Sequence, residues 1–303
     1  MCAEPRVAVI GARGFIGRRL VRELRGSGAA LQEFTRERGF LHDGQVDRAV
    51  LEADVIYFLA SRVRPASAAE DPRRAIEDLR DVHTLLQGLR ATGRRPVLVF
   101  ASSGGAVYSP AAAPPYSEAS PTGPTSEYGV VKVAMEAELA AGAAWVAPVC
   151  VRLANVYGAG QPVRPGFAVV AHWTRALHER ERIELIGDPG TIRDYVHVAD
   201  VTRALVRIAG SAGRFRSRAG GTVLNIGSGV PTSLGGLLGS LEEVTGERAL
   251  TRGVPARRFD RRDVWLDIGR ARETLGWSPE VSLAEGLKEV WNGLEREQTA
   301  ARG

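Results

Sequence analysis

Short apolar runs alternate with amphipathic stretches over residues 1–150. Four segments are nearly continuous in apolar side chains, which is typical of strands buried on both faces: 6–10, 53–59, 96–100 and 145–153. Between them, apolar residues recur at helical spacing over 15–24 and 73–89, and a further stripe contains Val131, Met135 and Leu139. This alternation predicts an α/β fold with a doubly wound parallel sheet of the Rossmann type.

The regular alternation ends near residue 155, where loops rich in glycine and proline begin. We therefore predict a Rossmann dinucleotide-binding domain over 1–155, completed by roughly 192–226. Residues 156–191 and 227–303 are predicted to form a smaller, interleaved C-terminal lobe that binds the substrate.

Four later segments have local patterns of their own. Residues 167–178 predict a helix and 222–226 a strand. Residues 110–124 are rich in Pro, Ala, Ser and Thr and predict a loop. Residues 210–221 contain three arginines between glycines, and we expect a mobile surface loop there.

The composition is that of a soluble globular protein: 303 residues, 44% hydrophobic and 25% charged. No apolar run approaches the roughly 20 residues that span a bilayer, and no secretory leader is evident, so we expect a cytoplasmic protein with no membrane partner. Two cysteines, Cys2 and Cys150, are too few for a disulfide scaffold. Five histidines show no metal-ligand spacing, and we expect no metal site.

The charge pattern argues against a nucleic-acid partner. The 40 basic and 35 acidic residues give a net charge of +5, and arginines alternate with acids instead of forming one basic face. Only Lys132 and Lys288 are lysines. A chain that uses lysine so rarely is expected to keep it where a compact ammonium does what a planar guanidinium cannot.

A glycine-rich turn follows the first predicted strand. Gly11, Gly14 and Gly17 open the next helix. Glycines there let the backbone turn tightly and let a diphosphate approach the helix N-terminus, where free N–H groups and the helix dipole favour negative charge. Because the turn lies at the first strand–helix junction, it predicts a dinucleotide site more strongly than a glycine triplet alone.

The end of the second strand bears on the choice between NAD and NADP. NAD sites usually have an acid there that holds the ribose hydroxyls. Our register places Thr35 or Arg36 at the strand end, and Arg36 with Arg38 would hold a 2′-phosphate, which favours NADP. A shift of one or two residues makes Glu33 the ribose acid and NAD the cofactor, so both remain open.

Tyr128 and Lys132 are four residues apart on a predicted helix, so their side chains share one face. An adjacent ammonium and a cationic nicotinamide both favour phenolate, so we expect a lowered Tyr128 pKa. Such a tyrosine takes a proton from a sugar hydroxyl as hydride leaves, or returns one to a carbonyl. The pair therefore predicts hydride-transfer chemistry beside the dinucleotide site.

Five motifs resemble the extended short-chain dehydrogenase/reductases, and more narrowly the NAD-dependent epimerase/dehydratase family typified by UDP-glucose 4-epimerase. They are Gly11-Ala-Arg-Gly-Phe-Ile-Gly17, Ser102-Ser-Gly-Gly-Ala-Val-Tyr108, Tyr128-Gly-Val-Val-Lys132, Asn155-Val-Tyr-Gly158 and Arg193-Asp-Tyr-Val-His-Val198. The resemblance extends from about residue 5 to Pro279 and follows the family's order.

The resemblance implies roles for individual residues. Tyr128 and Lys132 match the catalytic pair, and Asn155 and Arg193 match positions that touch the substrate diphosphate. Residues expected to contact the cofactor are Gly11, Arg13, Gly14, Phe15, Ile16, Gly17, Thr35, Arg36, Ala60, Ser102, Tyr128 and Lys132.

Near the C-terminus, residues 254–260 resemble the family's arginine-containing diphosphate loop. They place that arginine at Arg257, or at Arg258 because the loop is one residue short. The family also implies a nucleoside-diphosphate sugar as substrate and a homodimer joined through the helix bearing Tyr128 and its neighbour.

The chain departs from the family pattern near the reacting carbon. The usual catalytic Ser/Thr position is Gly104, so Ser103 is the expected replacement hydroxyl, with Ser102 in reserve. Gly105 and Ala106 stand where dehydratases place Asp-Glu and decarboxylases a glutamate, which argues against both reactions. The segment 39–54 is short, so we expect a trimmed wall beside the adenine.

Two reactions of the family remain. A 4-epimerase uses tightly bound NAD to remove and return a hydride at C4, whereas a 4-ketoreductase delivers one hydride from NAD(P)H. The arginines near residue 36 suit exchangeable NADPH, and Gly104 would leave room for a deoxygenated keto-sugar, so we favour the reductase. The alternative to an enzyme is a non-catalytic protein that senses the cofactor. Such a protein would be expected to lose Tyr128 or Lys132, and both are present.

Overall fold

A computed structural model describes residues 5–26, 28–63, 71–163, 168–256 and 261–302. Within them the elements, in chain order, are β1 (Arg6–Ile10), α1 (Phe15–Gly26), β2 (Ala30–Phe34), β3 (Leu41–His42), β4 (Gln45–Val46), α2 (Arg48–Leu51), β5 (Val55–Phe58), α3 (Pro72–Ala91), β6 (Val97–Ser103), α4 (Glu127–Ala141), β7 (Ala147–Leu153), β8 (Asn155–Tyr157), α5 (Val169–His178), β9 (Arg182–Ile186), β10 (Ile192–Arg193), β11 (Tyr195–His197), α6 (Val198–Gly210), α7 (Ala212–Arg216), β12 (Thr222–Ile226), β13 (Thr232–Ser233), α8 (Leu234–Thr245), β14 (Leu250–Val254), α9 (Gly269–Leu275) and α10 (Leu283–Arg302).

A six-stranded parallel sheet forms the centre, in the order β12-β7-β6-β5-β1-β2. Helices cover both faces, which confirms the predicted doubly wound Rossmann-type fold. Alternate residues of β6 show the two faces. Val97 and Val99 join the core beneath α1 and α6, whereas Leu98 and Phe100 join the core beneath α3 and α4. Strands buried in this way explain the near-continuous apolar runs.

A third core lies outside the sheet and joins α5, α8 and α10. Trp173, Leu237 and Leu287 are among its buried members. The parallel pair β9–β14 and the short pairs β8–β11 and β10–β13 surround it. This third core agrees with a smaller lobe, and the boundaries given above for the two domains stay a proposal.

Residues 261–268, which we call the strap, cross the carboxyl end of the sheet. Tyr116 N–H donates to the carbonyl of Trp265 at 2.9 Å, and Ile192 N–H donates to that of Arg262 at 3.0 Å. Leu266 N–H donates to the Asp194 carboxylate at 3.2 Å. The strap therefore ties the 110–124 loop to β10, above the end of β6.

The prediction of a mobile surface loop over 210–221 is wrong for much of that segment. α7 occupies Ala212–Arg216, and Phe215 is buried in the core of the sheet. Arg214 donates to the carbonyl of Thr274 at 2.8 Å, and Arg216 to that of Asp54 at 2.8 Å. The burial of Phe215 and the hydrogen bonds of Arg214 and Arg216 hold the segment in place. The periodicity of apolar residues does not predict such isolated contacts.

Other local predictions match more closely. β5, β6 and β7 fall on the predicted strands, α3 extends slightly beyond 73–89, and 110–124 contains no helix or named strand. The short segment 39–54 contains the hairpin β3–β4 and α2. Among the described residues, no helix is both long and apolar enough to cross a membrane.

Candidate active site

Tyr128, Lys132 and Glu136 share one face of α4, because each is four residues from the next. Tyr128 is partly buried, Lys132 is 4% exposed, and the Glu136 side chain is 10% exposed. The sequence identified the first two residues. Glu136, one turn further along the same face, was missed.

The first turn of α4 is held close to the chain that follows β6. Ser126 caps the helix by accepting a hydrogen bond from Gly129 N–H at 3.2 Å. A Cβ added to Gly129 would lie 2.4 Å from the carbonyl oxygen of Ala106, so only glycine permits this approach. The approach places the Tyr128 hydroxyl within hydrogen-bonding reach of Ser103, the last residue of β6.

Ser103 and Ser102 point their hydroxyls to different partners. Ser103 lies near the Tyr128 hydroxyl and lowers the Tyr128 pKa, and its role as the replacement for the hydroxyl missing at Gly104 stays a prediction. Ser102 is buried and donates to the Glu136 carboxylate beneath α4. Ser102 therefore supports the helix face that bears Lys132, and its predicted contact with the cofactor stays a prediction.

The Lys132 ammonium group is enclosed. Its Nζ donates to the carbonyl of Ala101 at 2.9 Å and lies 4.7 Å from the Phe100 ring centroid and 5.6 Å from that of Tyr128. Burial lowers the Lys132 pKa to about 8, although the carboxylates of Asp78 and Glu136 oppose that shift.

Burial raises the Tyr128 pKa to about 12, an effect that the Ser103 hydrogen bond reduces and the Asp78 charge reinforces. Desolvation of the phenol therefore dominates in the chain without its cofactor. The expected lowering of the Tyr128 pKa, which also counts a cationic nicotinamide, stays a prediction. At neutral pH the phenol is a proton donor.

Glu136 also forms a buried ion pair with Arg152 of β7. Arg152 donates through Nε at 3.0 Å and through Nη2 at 2.6 Å, a bidentate geometry. The guanidinium lies 4.8 Å from the Tyr108 ring centroid, and Tyr108 donates to the side-chain oxygen of Asn225. This network fixes Glu136 one turn from Lys132, and sequence spacing did not reveal it because its members lie on separate elements.

The glycine-rich turn has no room for larger residues. Gly11 has φ +93°, and a Cβ there would lie 2.8 Å from the nitrogen of Ala60. A Cβ on Gly17 would lie 2.1 Å from the Gly11 carbonyl oxygen. α1 starts at Phe15, and Arg13 and Gly14 are exposed at its N-terminus. The N–H groups of Gly11 and Ala12 donate to the Phe34 carbonyl, so the first N–H groups of α1 are the ones placed to meet an anion such as a dinucleotide diphosphate.

The second strand ends between the two predicted positions. β2 stops at Phe34, whose carbonyl accepts from Gly11 N–H at 2.9 Å, so Thr35 is the first residue beyond the strand. Glu33 is the last residue but one of the strand and pairs with Arg25 of α1. The observed end lies one residue after Glu33 and one before Thr35, so the choice between the two registers stays a prediction.

Glu37 is a neighbouring acid to which the sequence motifs assign no role. Thr35 Oγ donates to Glu37 at 2.7 Å, and Arg13 pairs with it at 3.2 Å. The Thr35 hydrogen bond, with help from Arg13 and Arg36, lowers the Glu37 pKa. One acid and three arginines (Arg13, Arg36 and Arg38) therefore surround the end of β2.

The predicted substrate residues lie at one end of β8 and β10. Asn155 Nδ2 donates to the carbonyl of Asp194 at 2.9 Å. Arg193 Nη1 donates to the carbonyls of Ile192 at 2.8 Å and Arg262 at 2.9 Å. These contacts bring Arg193 beside the start of the strap.

The other two predicted diphosphate residues, Arg257 and Arg258, lie outside the described residues. The chain is described again from Arg261, which donates to the carbonyl of Tyr108 at 2.9 Å. No group of three or more potential metal ligands occurs in the described part of the chain.

Comparison with known proteins gives a consistent result. Residues 7–227 match the NAD dependent epimerase/dehydratase family. A "UDP-glucose 4-epimerase" of Mycolicibacterium smegmatis is 35% identical and covers 93% of this chain and 96% of its own length. A "dTDP-6-deoxy-L-talose 4-dehydrogenase (NAD(P)(+))" of Kitasatospora kifunensis is 28% identical and covers 95% of each chain.

The structure also resembles solved structures. MoeE5, solved with UDP-glucose and NAD, superposes with a TM-score of 0.84 at 30% identity and covers 96% of this chain and 99% of its own. A UDP-glucose 4-epimerase of Thermotoga maritima, solved with UDP-glucose, has the same TM-score at 27% identity and the same coverage.

Proposed function

This chain belongs to the NAD dependent epimerase/dehydratase family, and from that premise we propose that it transfers a hydride at C4 of a nucleoside-diphosphate hexose. It is an NAD(P)-dependent nucleotide-sugar epimerase or reductase. The observation that carries the proposal is the placement of Tyr128 beside Ser103, with Lys132 one turn along the same helix face.

The residues at the glycine turn fit a nicotinamide dinucleotide. Gly11 and Gly17 leave no volume for a Cβ, and the turn leads into the N-terminus of α1, whose first N–H groups have no partner within the helix. When bound, the cofactor supplies or accepts the hydride. Phe15, Ile16 and Ala60 border this turn and are proposed to line it.

Tyr128 handles the proton. In the reducing direction its neutral phenol, favoured by burial, donates a proton to the carbonyl oxygen at C4 as that carbon gains hydride, so C=O becomes CH–OH. Ser103 holds the same oxygen, and Lys132 stabilises the resulting phenolate through its positive charge. In the oxidising direction these roles reverse.

The residues on the substrate side support a doubly charged ligand. We propose that Asn155, Arg193 and Arg257 or Arg258 contact the substrate diphosphate, because guanidinium groups match such oxyanions bidentately. MoeE5 and the Thermotoga maritima relative, both solved with UDP-glucose, support a nucleotide sugar as substrate.

We propose that the reaction is reduction of a 4-keto nucleotide sugar by NADPH, and the name of the Kitasatospora kifunensis relative favours a 6-deoxy sugar. Arg36 directly follows Thr35 at the end of β2, Arg38 is two residues further, and Glu33 is engaged with Arg25. A basic strand end suits the 2′-phosphate of an exchangeable, reduced cofactor.

A 4-epimerase with tightly bound NAD is the second candidate. The specific observation in its favour is the 35% identity to the Mycolicibacterium smegmatis 4-epimerase over nearly all of both chains. The same Tyr128 and Lys132 serve either reaction, so the site chemistry does not separate them.

The test is to release and identify the cofactor of the purified protein, and then to assay it. Reductase activity predicts little retained NAD, tighter binding of NADPH than NADH, and one-way reduction of 4-keto sugars. Epimerase activity predicts retained NAD and interconversion of UDP-glucose and UDP-galactose without added cofactor. Absence of both activities with UDP- and dTDP-sugars, with the cofactor bound, would refute hydride transfer at C4.

We also propose a homodimer formed through α3 and α4. Ile76 on α3 is 52% exposed and Val130 on α4 is 54% exposed, so this helix pair shows apolar side chains to the outside. Light scattering of the wild type and of an Ile76→Glu, Val130→Glu variant tests this: the dimer should become a monomer.

A further inference from the structure

Asp78 of α3 is a buried carboxylate beside the end of β5. It is 2% exposed and accepts four hydrogen bonds. They come from Ser61 Oγ at 2.8 Å, Arg62 N–H at 2.9 and 3.1 Å to its two oxygens, and Arg62 Nη1 at 3.0 Å. A carboxylate this deeply buried is costly unless its partners satisfy it, and here they all come from one short segment.

That segment, residues 61–63, lies between the glycine turn and Tyr128. Ala60, just before it, meets Gly11 of the glycine turn. Val63 is buried with Ala75 of α3, and Tyr128 packs against this pair. Asp78 therefore fixes the backbone that connects the glycine turn to the Tyr128 ring.

Asp78 also acts through its charge. Its carboxylate raises the pKa of Lys132, as Glu136 does, and raises that of Tyr128. The Glu136 charge is largely compensated by its bidentate pair with Arg152. On the opposite side of the Asp78 carboxylate stands Arg62, which pairs with Asp81 and Glu77 as well.

We propose that Asp78 is a positioning residue for the Tyr128–Lys132 pair: it clamps residues 61–63 against Tyr128 and balances the buried ammonium of Lys132. The effect of Asp78 on turnover rests on the proposed function, whereas the contacts of Asp78 with residues 61–63 do not. An uncompensated ammonium in an enclosed site would lose its proton more readily, and Tyr128 would lose the cation that stabilises its phenolate.

The first experiment follows the Lys132 pKa directly. Protein made with ¹³C-labelled lysine gives two side-chain Cε signals, one from Lys132 and one from the exposed Lys288, which serves as the reference. A pH titration of the wild type and Asp78→Asn is compared, with Lys288→Arg used for assignment. The variant is expected to titrate at lower pH, because the charge that favours the ammonium is gone.

A merely structural role predicts the opposite direction. If Asp78→Asn only loosens the packing, water enters and the Lys132 pKa rises towards its ordinary value. A rise or an unchanged titration therefore overturns the proposal.

Asp81→Asn is the matched control. Asp81 lies one turn along α3 and shares the Arg62 guanidinium, and its removal takes away the same charge from the same helix. In this control the Lys132 titration is expected to match wild type. An equal shift in both variants would mean that general field effects, and not the Asp78 clamp, set the Lys132 charge.

Kinetics then connect the clamp to turnover. Asp78→Asn is expected to lower kcat about tenfold while the KM for the nucleotide sugar changes little, whereas Asp81→Asn retains wild-type kcat. Wild-type kcat in Asp78→Asn overturns the positioning role. Full activity in Tyr128→Phe, measured alongside, would instead overturn the proposed function and leave the titration result intact.

Discussion

The side chain of Leu266 occupies the space that a side chain on Gly104 would need. A Cβ added to Gly104 would lie 2.6 Å from Leu266 Cδ1 and 2.9 Å from Cδ2. Leu266 is 1% exposed, and Gly104 N–H is fixed by a hydrogen bond to the Leu153 carbonyl at 2.8 Å. The room near residue 104 is therefore filled by the strap, and it does not favour a deoxygenated sugar. The same packing explains why the hydroxyl that meets Tyr128 belongs to Ser103.

Gly104→Ser should lower stability. Forcing a side chain against Leu266 overpacks a closed core, which costs about 1–3 kcal/mol of unfolding free energy. Leu266→Ala alone leaves a cavity and costs about 2–5 kcal/mol. In the double variant the serine enters the space vacated by leucine, so the combined loss should be smaller than the sum of the two.

Urea unfolding of the wild type, both single variants and the double variant checks this relationship. Strictly additive losses would show that residues 104 and 266 do not compete for the same volume. Residue 103 keeps its serine throughout, so residual activity in the folded variants reports on the strap and not on the hydroxyl.

Tyr128→Phe should abolish turnover while leaving cofactor affinity nearly unchanged. The ring still packs on Val63 and Ala75, but no group remains to exchange the proton, a role worth roughly 10²–10⁴-fold in rate. Steady-state kinetics together with fluorescence titration of the reduced cofactor measure the two effects. Wild-type kcat in this variant, with every nucleotide sugar that the wild type converts, would remove Tyr128 from the chemistry.

Much of this site follows from the sequence because its spacing is local. Tyr128 and Lys132 lie on one helix, so a separation of four residues already places them on one face. The glycine turn is likewise a single strand–helix junction. Local periodicity determines such features.

The rest depends on contacts between distant parts of the chain. Glu136 of α4 pairs with Arg152 of β7, and Leu266 of the strap packs against Gly104. Asp78 of α3 accepts a hydrogen bond from Ser61, which follows β5. The direction of the Tyr128 pKa shift also depends on burial, which the motif does not reveal. These residues are far apart in the sequence, so no local spacing or periodicity predicts their contacts.

Stability should depend on pH through Lys132. Its folded pKa of about 8 lies below the unfolded value of 10.5, so between these values the unfolded chain binds the extra proton. The contribution of Lys132 to the unfolding free energy therefore rises as pH increases from about 8 to 10.5, by about 3 kcal/mol at most. Below about pH 8 the folded protein holds a charged ammonium in an enclosed site, and that gain is absent.

Lys132→Met isolates this effect, because methionine fills a similar volume without a titrating group. Urea unfolding of the cofactor-free wild type and variant, at pH 7 and pH 10, gives the difference in unfolding free energy. The wild type should gain relative to the variant at the higher pH. A difference that stays constant with pH would mean that Lys132 titrates alike in the folded and unfolded chains.

Lys132→Arg should impair turnover severely even though it keeps the charge. A guanidinium is planar and larger, and Lys132 Nζ sits between the Ala101 carbonyl and the Phe100 ring with 4% exposure, which leaves no room for it. We expect a loss in kcat of at least about a hundredfold. Near-normal kcat would show that Lys132 provides only a positive charge.

The last prediction concerns the 2′-phosphate of the cofactor. Thr35 is the first residue after β2, Glu33 is held by Arg25, and Arg36 is the residue proposed to bind that phosphate. Arg36→Asp removes a charge-assisted hydrogen bond worth roughly 1.5–3 kcal/mol and places a carboxylate against the phosphate. NADPH affinity should fall about a hundredfold, since each 1.4 kcal/mol is tenfold. NADH lacks the phosphate, and its ribose hydroxyls gain an acceptor, so it should bind as well or better.

Dissociation constants of both cofactors for the wild type and Arg36→Asp measure the reversal. Arg25→Asp is the control, because it releases Glu33 without changing residue 36. Unchanged NADPH affinity in Arg36→Asp would show that the wild type does not read the phosphate through this arginine. The proposal of an NADPH-dependent reductase would then lose its main support, and a 4-epimerase with tightly bound NAD would become the favoured function.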